Sequence, residues 1–317
     1  MSPAPTNAHF FRTSGAGYAH RGYAESLGEF GAVQELLACG GWLLVRRLPV
    51  VEAVDAMGCY PMFSCRDWNA IGADLEALAQ TLVCVSLVTD PFAHVSPARL
   101  CATFPDVCFE FKQHFVTDLS HPLDTVAGSH HRRNVRKSLA AVEVRETTGD
   151  ASMLDDWLPL YEHLIRRHAI SGIAGFSRDS FARQAKVPGF RAFSAVSHGE
   201  VCGMTLWYVD GDVCYYHLAA YNDRGYELRA SYALFWSALT EFAKTGVRWA
   251  GLGAGAGVTA SQSGLTRFKQ GWSTHTRPAY FCGRIMQPAV YRKLATAEQL
   301  ANGFFPAYRG PLQTQIA

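Results

Sequence analysis

FRAFSAVSHGEVCGMTLWYVDGDVCYYHLAAYNDRGYELRASYALFWSALTEFAKTGVRWAGLG, residues 190–253, is the stretch from which the architecture follows. It opens with three runs rich in β-branched and aromatic residues, FRAFSAVSHG, EVCGMTLWYVDG and DVCYYHLAAYN, punctuated by His198-Gly199 and Asp210-Gly211. Asp-Gly between alternating apolar residues is a strong hairpin signal, so three antiparallel strands are expected. ELRASYALFWSALTEFAKTG then predicts a long helix, with Leu228, Tyr232, Phe235, Leu239 and Phe242 on one face and Gly246 just past its end. VRWAGLG follows as a short buried strand. A meander that crosses through a helix to a further strand gives an α+β fold with a mixed sheet.

Upstream of this stretch, SRDSFARQAK predicts a short helix with Ser177 as N-cap. In DDWLPLYEHLIRRHAI, Trp157, Leu158, Tyr161, Leu164, Ile165 and His168 form a helical stripe, and Pro159 suggests a start just before it. Downstream, GLTRFKQGW predicts a short helix and THTRPAYFCGRIM a strand. The first half reads as strand WLLVRRLPV, helix ADLEALAQTL, strand LVCVSLVTD, helix PARLCATF and strand CFEFKQHFVTDL. The helix, strand, helix, strand order therefore occurs twice. The expectation is a loose lead-in over 1–25, one domain over 26–125, a related and more complete one over 126–290, and an extension over 291–317.

With 49% hydrophobic and 18% charged residues in 317, the chain can bury one large or two ordinary cores, which excludes disorder as its main state. The 29 basic residues against 27 acidic ones leave a formal charge of +2, too small for coating nucleic acid or an anionic membrane, so an anionic partner must meet a local cluster. No window reaches the roughly 20 apolar residues of a membrane span, and the N-terminus has no signal-peptide pattern, which points to a soluble cytoplasmic protein. Nine cysteines without a CxxC pair, most of them in apolar runs, read as inert core thiols. His130 and His131 are adjacent and no metal-binding spacing occurs, so no metal site is expected.

The one strong charge cluster is TVAGSHHRRNVRKSLAAVEVR, residues 125–145, with five formal positives against Glu143. A helix from Ser129 places Arg132, Arg133, Arg136 and Lys137 within two turns, an arrangement that can grip phosphates or simply form a solvated face.

Four segments together resemble the GNAT acyltransferase superfamily in its two-domain, FemAB-like branch of peptidoglycan-bridge aminoacyltransferases. These are HHRRNVRK, the stretch from YYHLAAYN to WAGLG, GLTRFKQGW, and FKQHFVTDLS. The resemblance implies tandem GNAT-like domains and transfer of an acyl group from a carrier to an amine of a small molecule, peptide or cell-wall precursor. Direct attack by the amine needs positioning, a proton acceptor and a stabilised oxyanion but no covalent nucleophile. None is offered, since GxSxG is absent.

Within that frame Lys269 is the first candidate to meet negative charge, on donor phosphates or on the developing oxyanion. By residue type alone it is an exposed helix lysine. Arg267, on another side of the same helix, ranks below it. His217 shares a strand face with Tyr215, Ala219 and Tyr221, and is either a proton acceptor or a satisfied core histidine, while Tyr216 is expected to pack. Coenzyme A-binding members of the superfamily carry a glycine-rich turn before the long helix, which would place Arg224 and Gly225 on the donor phosphates here. The stretch from Asp223 to Ser231 has only that one glycine, and Tyr226 and Glu227 would crowd or repel a phosphate. Two donors follow, acyl-CoA as co-substrate or aminoacyl-tRNA held by Arg132 to Lys137, with no tightly bound cofactor. A non-catalytic relative that binds a ligand in the same cleft is the reading from another class. GAGAG at 253–257 is not a dinucleotide fingerprint, because VTASQSG rather than a long helix follows it, and is expected to be a loop by the cleft.

Overall fold

The computed structural model describes residues 15–48, 51–147, 149–170, 172–255 and 264–310. In chain order the elements are α1 (Arg21–Ser26), β1 (Ala32–Leu36), β2 (Gly41–Arg47), β3 (Val54–Gly58), α2 (Ile71–Ala77), β4 (Leu82–Val88), α3 (Pro97–Thr103), β5 (Val107–Asp118), α4 (Leu123–Val126), α5 (Ser129–Leu139), β6 (Glu143–Thr147) and α6 (Ala151–His168). They continue with α7 (Arg178–Gln184), β7 (Phe190–Ser197), β8 (Glu200–Asp210), β9 (Val213–Tyr221), α8 (Asp223–Glu227), α9 (Ala230–Lys244), β10 (Trp249–Gly253), α10 (Gly264–Gln270), β11 (His275–Ile285), α11 (Pro288–Leu294) and α12 (Ala297–Ala301).

The α+β expectation with a mixed sheet holds, and the chain forms two compact units. They divide it differently from a cut near residue 125. One unit takes Lys112–Pro278 together with the residues before Leu27, and the other takes Leu27–Phe111 and returns for the residues from Ala279 onward. The C-terminal stretch is thus no appendage. Phe281–Ile285 of β11 pair antiparallel with β4. Around them lies a core of Leu43, Phe63, Trp68, Leu75, Leu87 and Phe104. Asp55 on β3, fully buried, receives hydrogen bonds from Arg46, Tyr308 and Arg309, which fastens the C-terminal turn to this unit.

In the larger unit the strands run β5, β10, β9, β8, β7, β6, with β9 and β10 parallel and the others antiparallel. Turns with His198 at φ 53° and Gly199 at φ 86° confirm the first hairpin signal, and Gly211 at φ 63° the second. On one face lies α9, whose Ala230, Ala233 and Ala238 are fully buried. Their small side chains let the helix approach closely while Leu234, Phe235, Leu239 and Phe242 fill the core with Trp207 and Trp272. On the other face α6 and α7 present Trp157, Tyr161 and Phe181, with α1 beside α7.

Three local readings are corrected. Helix α6 begins eight residues before Pro159, because the Asp150 carboxylate accepts from Met153 N–H and caps it, so the proline lies inside the helix. The long helix is broken at Arg229, which takes φ 55° and separates α8 from α9. The lead-in is not loose throughout, since Tyr18 and Tyr23 are buried in the larger unit. The cysteines also divide. Seven are buried and outside any disulfide, while Cys101 and Cys108 form a disulfide from α3 to β5, with Cα atoms 5.2 Å apart.

Candidate active site

The parallel pairing of β9 with β10 covers only Val213, Cys214 and Tyr215 against Trp249, Ala250 and Gly251. β9 then runs on to Tyr221 and β10 to Gly253 without pairing to each other, which opens a cleft at their C-terminal ends. Two irregularities shape it. β9 carries a bulge where Leu206 pairs with Leu218 but Trp207 with Tyr216, leaving His217 as the extra residue. The bulge changes the alternation along β9. Tyr216 packs toward α9 with Trp207 and Phe235, and Tyr221 joins that same core, so His217 does not share a face with Tyr221. On the other side, β10 shifts register at Gly251/Gly253, and Gly253 takes φ 75°.

Lys269 reaches into this place from α10. Its side chain is 6% exposed, its Nζ donates to the Ala254 carbonyl at 2.7 Å, and the ammonium sits over the Tyr216 ring, 5.2 Å from the centroid. Among the described residues no carboxylate pairs with it. Burial, reinforced by the nearby charge of Lys112, pulls its pKa down to about 7. Gly253 is required here, since a Cβ at that position would stand 3.1 Å from the Lys269 Nζ, besides the strain of its positive φ. An uncompensated buried cation at a cleft is a signature of function rather than of stability.

An aromatic wall links this point to the start of α9. Tyr216 meets Phe235, Phe235 meets Phe268, and Phe268 meets Tyr232 and His131, with centroids 4.8–5.7 Å apart. His131 Nε2 bonds the Phe268 carbonyl at 2.9 Å, which fixes α10 to α5. At the rim Asn134 bonds His130, and the Arg229 guanidinium donates to Asn134. His131 thus ties α5 to α10, while the His130–Asn134 bond lies within α5.

The other residues singled out in the sequence fall in different places. On α5 the four basic side chains are exposed. Arg132 donates to the Asp124 and Ala127 carbonyls, Arg133 lies against His130, and Arg136 and Lys137 have no acidic partner among the described residues. Arg267 is exposed on α10. Arg224 is paired with Glu227 at 2.7 Å. Gly225 N–H is taken by the Asn222 side chain at 2.9 Å, and a Cβ there would collide with the Cys202 carbonyl, so close packing on β8 requires this glycine. Of GAGAG and the VTASQSG that follows it, residues 256–263 lie outside the described residues, so the loop reading falls largely there.

His217 sits on the opposite face of the sheet from Lys269. Its Nδ1 accepts from the Tyr18 hydroxyl at 2.9 Å and its Nε2 donates to Gln184 Oε1 at 3.0 Å. Burial drives its pKa to about 3, so it is neutral with both nitrogens occupied. The unfolded chain binds a proton near pH 6.5 that the folded one refuses until about 3, so stability falls as pH drops through that window. Compared with His217→Asn, the wild type is expected to lose roughly 1 kcal/mol per pH unit between pH 6 and 4 in urea unfolding. Equal pH slopes for the two proteins would contradict this.

Residues 129–270 match the family model described as the acetyltransferase (GNAT) domain. The chain carries a GNAT acetyltransferase domain. This places the larger unit in the acyltransferase class. No curated protein sequence matches the chain. Among solved structures, FemX is similar over 89% of this chain and 95% of its own, with a TM-score of 0.67 and 13% identity. The C-terminal domain of a putative lysylphosphatidylglycerol synthetase from Agrobacterium fabrum has a TM-score of 0.59 at 13% identity, over 83% of this chain and 87% of its own. L-PGS from Bacillus licheniformis has a TM-score of 0.58 at 15% identity, over 86% of this chain and 93% of its own. Such identities establish a shared fold. No helix among the described residues is long and apolar enough to cross a membrane.

Proposed function

We propose that the GNAT domain transfers an acyl group from a carrier thioester, acyl-CoA, to an amine by direct attack, with Lys269 as the group that meets the developing oxyanion. The observation that carries this reading is the Lys269 ammonium, buried where β9 and β10 part without a counter-ion among the described residues. The amine nitrogen forms its bond to the carbonyl carbon, negative charge moves onto the carbonyl oxygen, and the charge falls beside a cation that needs a partner. Collapse expels the thiolate, and the proton lost by the amine passes to solvent or to the leaving group. The uncapped start of α9 presents the positive end of its dipole beside Tyr232, at the far end of the aromatic wall, where donor phosphates would lie. His217 and Gly225 act as packing groups in this reading.

A second donor is favoured by a separate observation. Arg136 and Lys137 stand exposed on α5 without acidic partners among the described residues, and Tyr226 with the Arg224–Glu227 pair occupies the turn before α9. These features suit an aminoacyl-tRNA. Calorimetric titration with coenzyme A, beside filter binding of aminoacyl-tRNA at two salt concentrations, separates the donors. Saturable coenzyme A binding with no salt-sensitive tRNA binding is expected. The reverse pattern would make aminoacyl-tRNA the donor.

A further inference from the structure

Lys269 is the only buried side chain of α10. Taking an ammonium out of water works against docking the helix, so what keeps these seven residues in place must come from elsewhere. The start of α5 supplies it. Gly128 N–H donates to the Gly271 carbonyl at 3.3 Å and the His131 ring bonds the Phe268 carbonyl at 2.9 Å, which grips the chain on both sides of Lys269. The Phe268 carbonyl lies in the last turn of α10, where carbonyls lack a helical partner, and Trp272 N–H, four residues on, donates to the Lys269 carbonyl instead. A carbonyl only accepts, so the His131 Nε2 carries the hydrogen. The imidazole is 6% exposed and lies edge-on to Tyr232 and to Trp272, with centroids 5.2 Å apart in each case. It fits because residue 271 is glycine, where a Cβ would fall inside the ring.

We propose that His131 is a positioning residue, which holds the Phe268 carbonyl and fills the notch over Gly271, and so keeps the Lys269 ammonium against the Ala254 carbonyl and the Tyr216 ring. It acts only through Lys269. Without its bond the last turn of α10 loses one of its two ties to α5, and hydration draws the ammonium outward. The other groups that bear on the charge of Lys269 are Tyr216 on β9, a phenol that burial keeps protonated, and Lys112 on β5, and both are left in place by the substitutions below. This deepens the acyl-transfer reading and rests on it for the effect on turnover. The effect on Lys269 itself is read without any acyl donor, so failure of transfer and failure of positioning are distinguishable.

The Lys269 amine is titrated by competitive labelling with acetic anhydride across neutral and alkaline pH, with its peptide followed by mass spectrometry. The midpoint is expected at about 7 in the wild type and at least about one unit nearer 10.5 in His131→Leu and in Gly271→Ala, which pushes the ring aside. His131→Gln, whose amide still donates to the Phe268 carbonyl, is expected to stay close to the wild type. Asp55→Asn, which loosens the smaller unit, is expected to leave the midpoint where it is. In turnover, kcat should fall about tenfold or more in His131→Leu with little change in KM for the amine, the alkaline limb should move with the labelling midpoint, and His131→Gln should restore both. A midpoint that stays near 7 in either His131→Leu or Gly271→Ala would overturn the proposal, as would an equal displacement in His131→Gln or in Asp55→Asn. Should His131→Leu not fold, Gly271→Ala decides alone. The expected displacement in a protein that transfers no acyl group would uphold the positioning of Lys269 and remove the acyl-transfer reading.

Discussion

Replacing Lys269 by methionine is expected to remove at least 100-fold of kcat while making the folded protein more stable by about 2–4 kcal/mol at pH 7. Methionine fills a similar volume without a charge to desolvate. The native lysine has its pKa at about 7, against 10.5 when solvated. Between those values the unfolded chain holds a proton that the folded chain tends to lose, so the stability of the wild type rises with pH across that window. The advantage of the variant should therefore be greatest at and below pH 7 and fade toward pH 10. Urea unfolding at several pH values checks this. In turnover, a cationic role predicts that kcat/KM for the donor falls tenfold per pH unit above about 7, and that Lys269→Arg flattens this limb. A rate that instead rises through pH 7 would make Lys269 the proton acceptor. A methionine variant less stable than wild type at pH 7 would mean the lysine is structural.

The second large effect lies in the smaller unit. Asp55 is fully buried and accepts from Arg46 at 3.0 Å, from Tyr308 at 3.0 Å, and from Arg309 through two nitrogens at 2.5 and 2.9 Å. Asp55→Ala leaves two guanidinium groups side by side without their counter-charge. A loss of about 3–5 kcal/mol is expected. Because the pair also fastens the C-terminal turn, amide exchange should accelerate first over residues 288–310. Asp55→Asn keeps the shape and part of the hydrogen bonding and should fall between. A loss below about 1 kcal/mol in Asp55→Ala would show that water replaces the carboxylate without penalty.

Much of this architecture was legible because it depends on local signals. Asp210-Gly211 and His198-Gly199 mark the meander, the stripe from Tyr232 to Phe242 marks α9, and Ser177 caps α7 as its residue type suggests. What was missed depends on contacts between distant residues. The return of Phe281–Ile285 to β4 and the tie of Arg309 to Asp55 span about 200 positions or more, and no local pattern encodes them. The bulge at His217 is of the same kind. A two-residue period puts His217 with Tyr221, and one extra residue moves Tyr221 to the other side. Lys269 was found through the GLTRFKQGW resemblance. Its burial over Tyr216 follows from the parting of β9 and β10, which a string of letters does not display.

The central claim is acyl transfer by the domain that carries Lys269. Its most direct test is mass-spectrometric detection of amide product from acetyl-CoA and a panel of primary amines, with purified wild-type protein and Lys269→Met side by side. The account predicts an N-acetylated product that depends on the wild-type protein and falls at least 100-fold in the variant. Acetyl-CoA left intact with every amine, or equal product from both proteins, would contradict it.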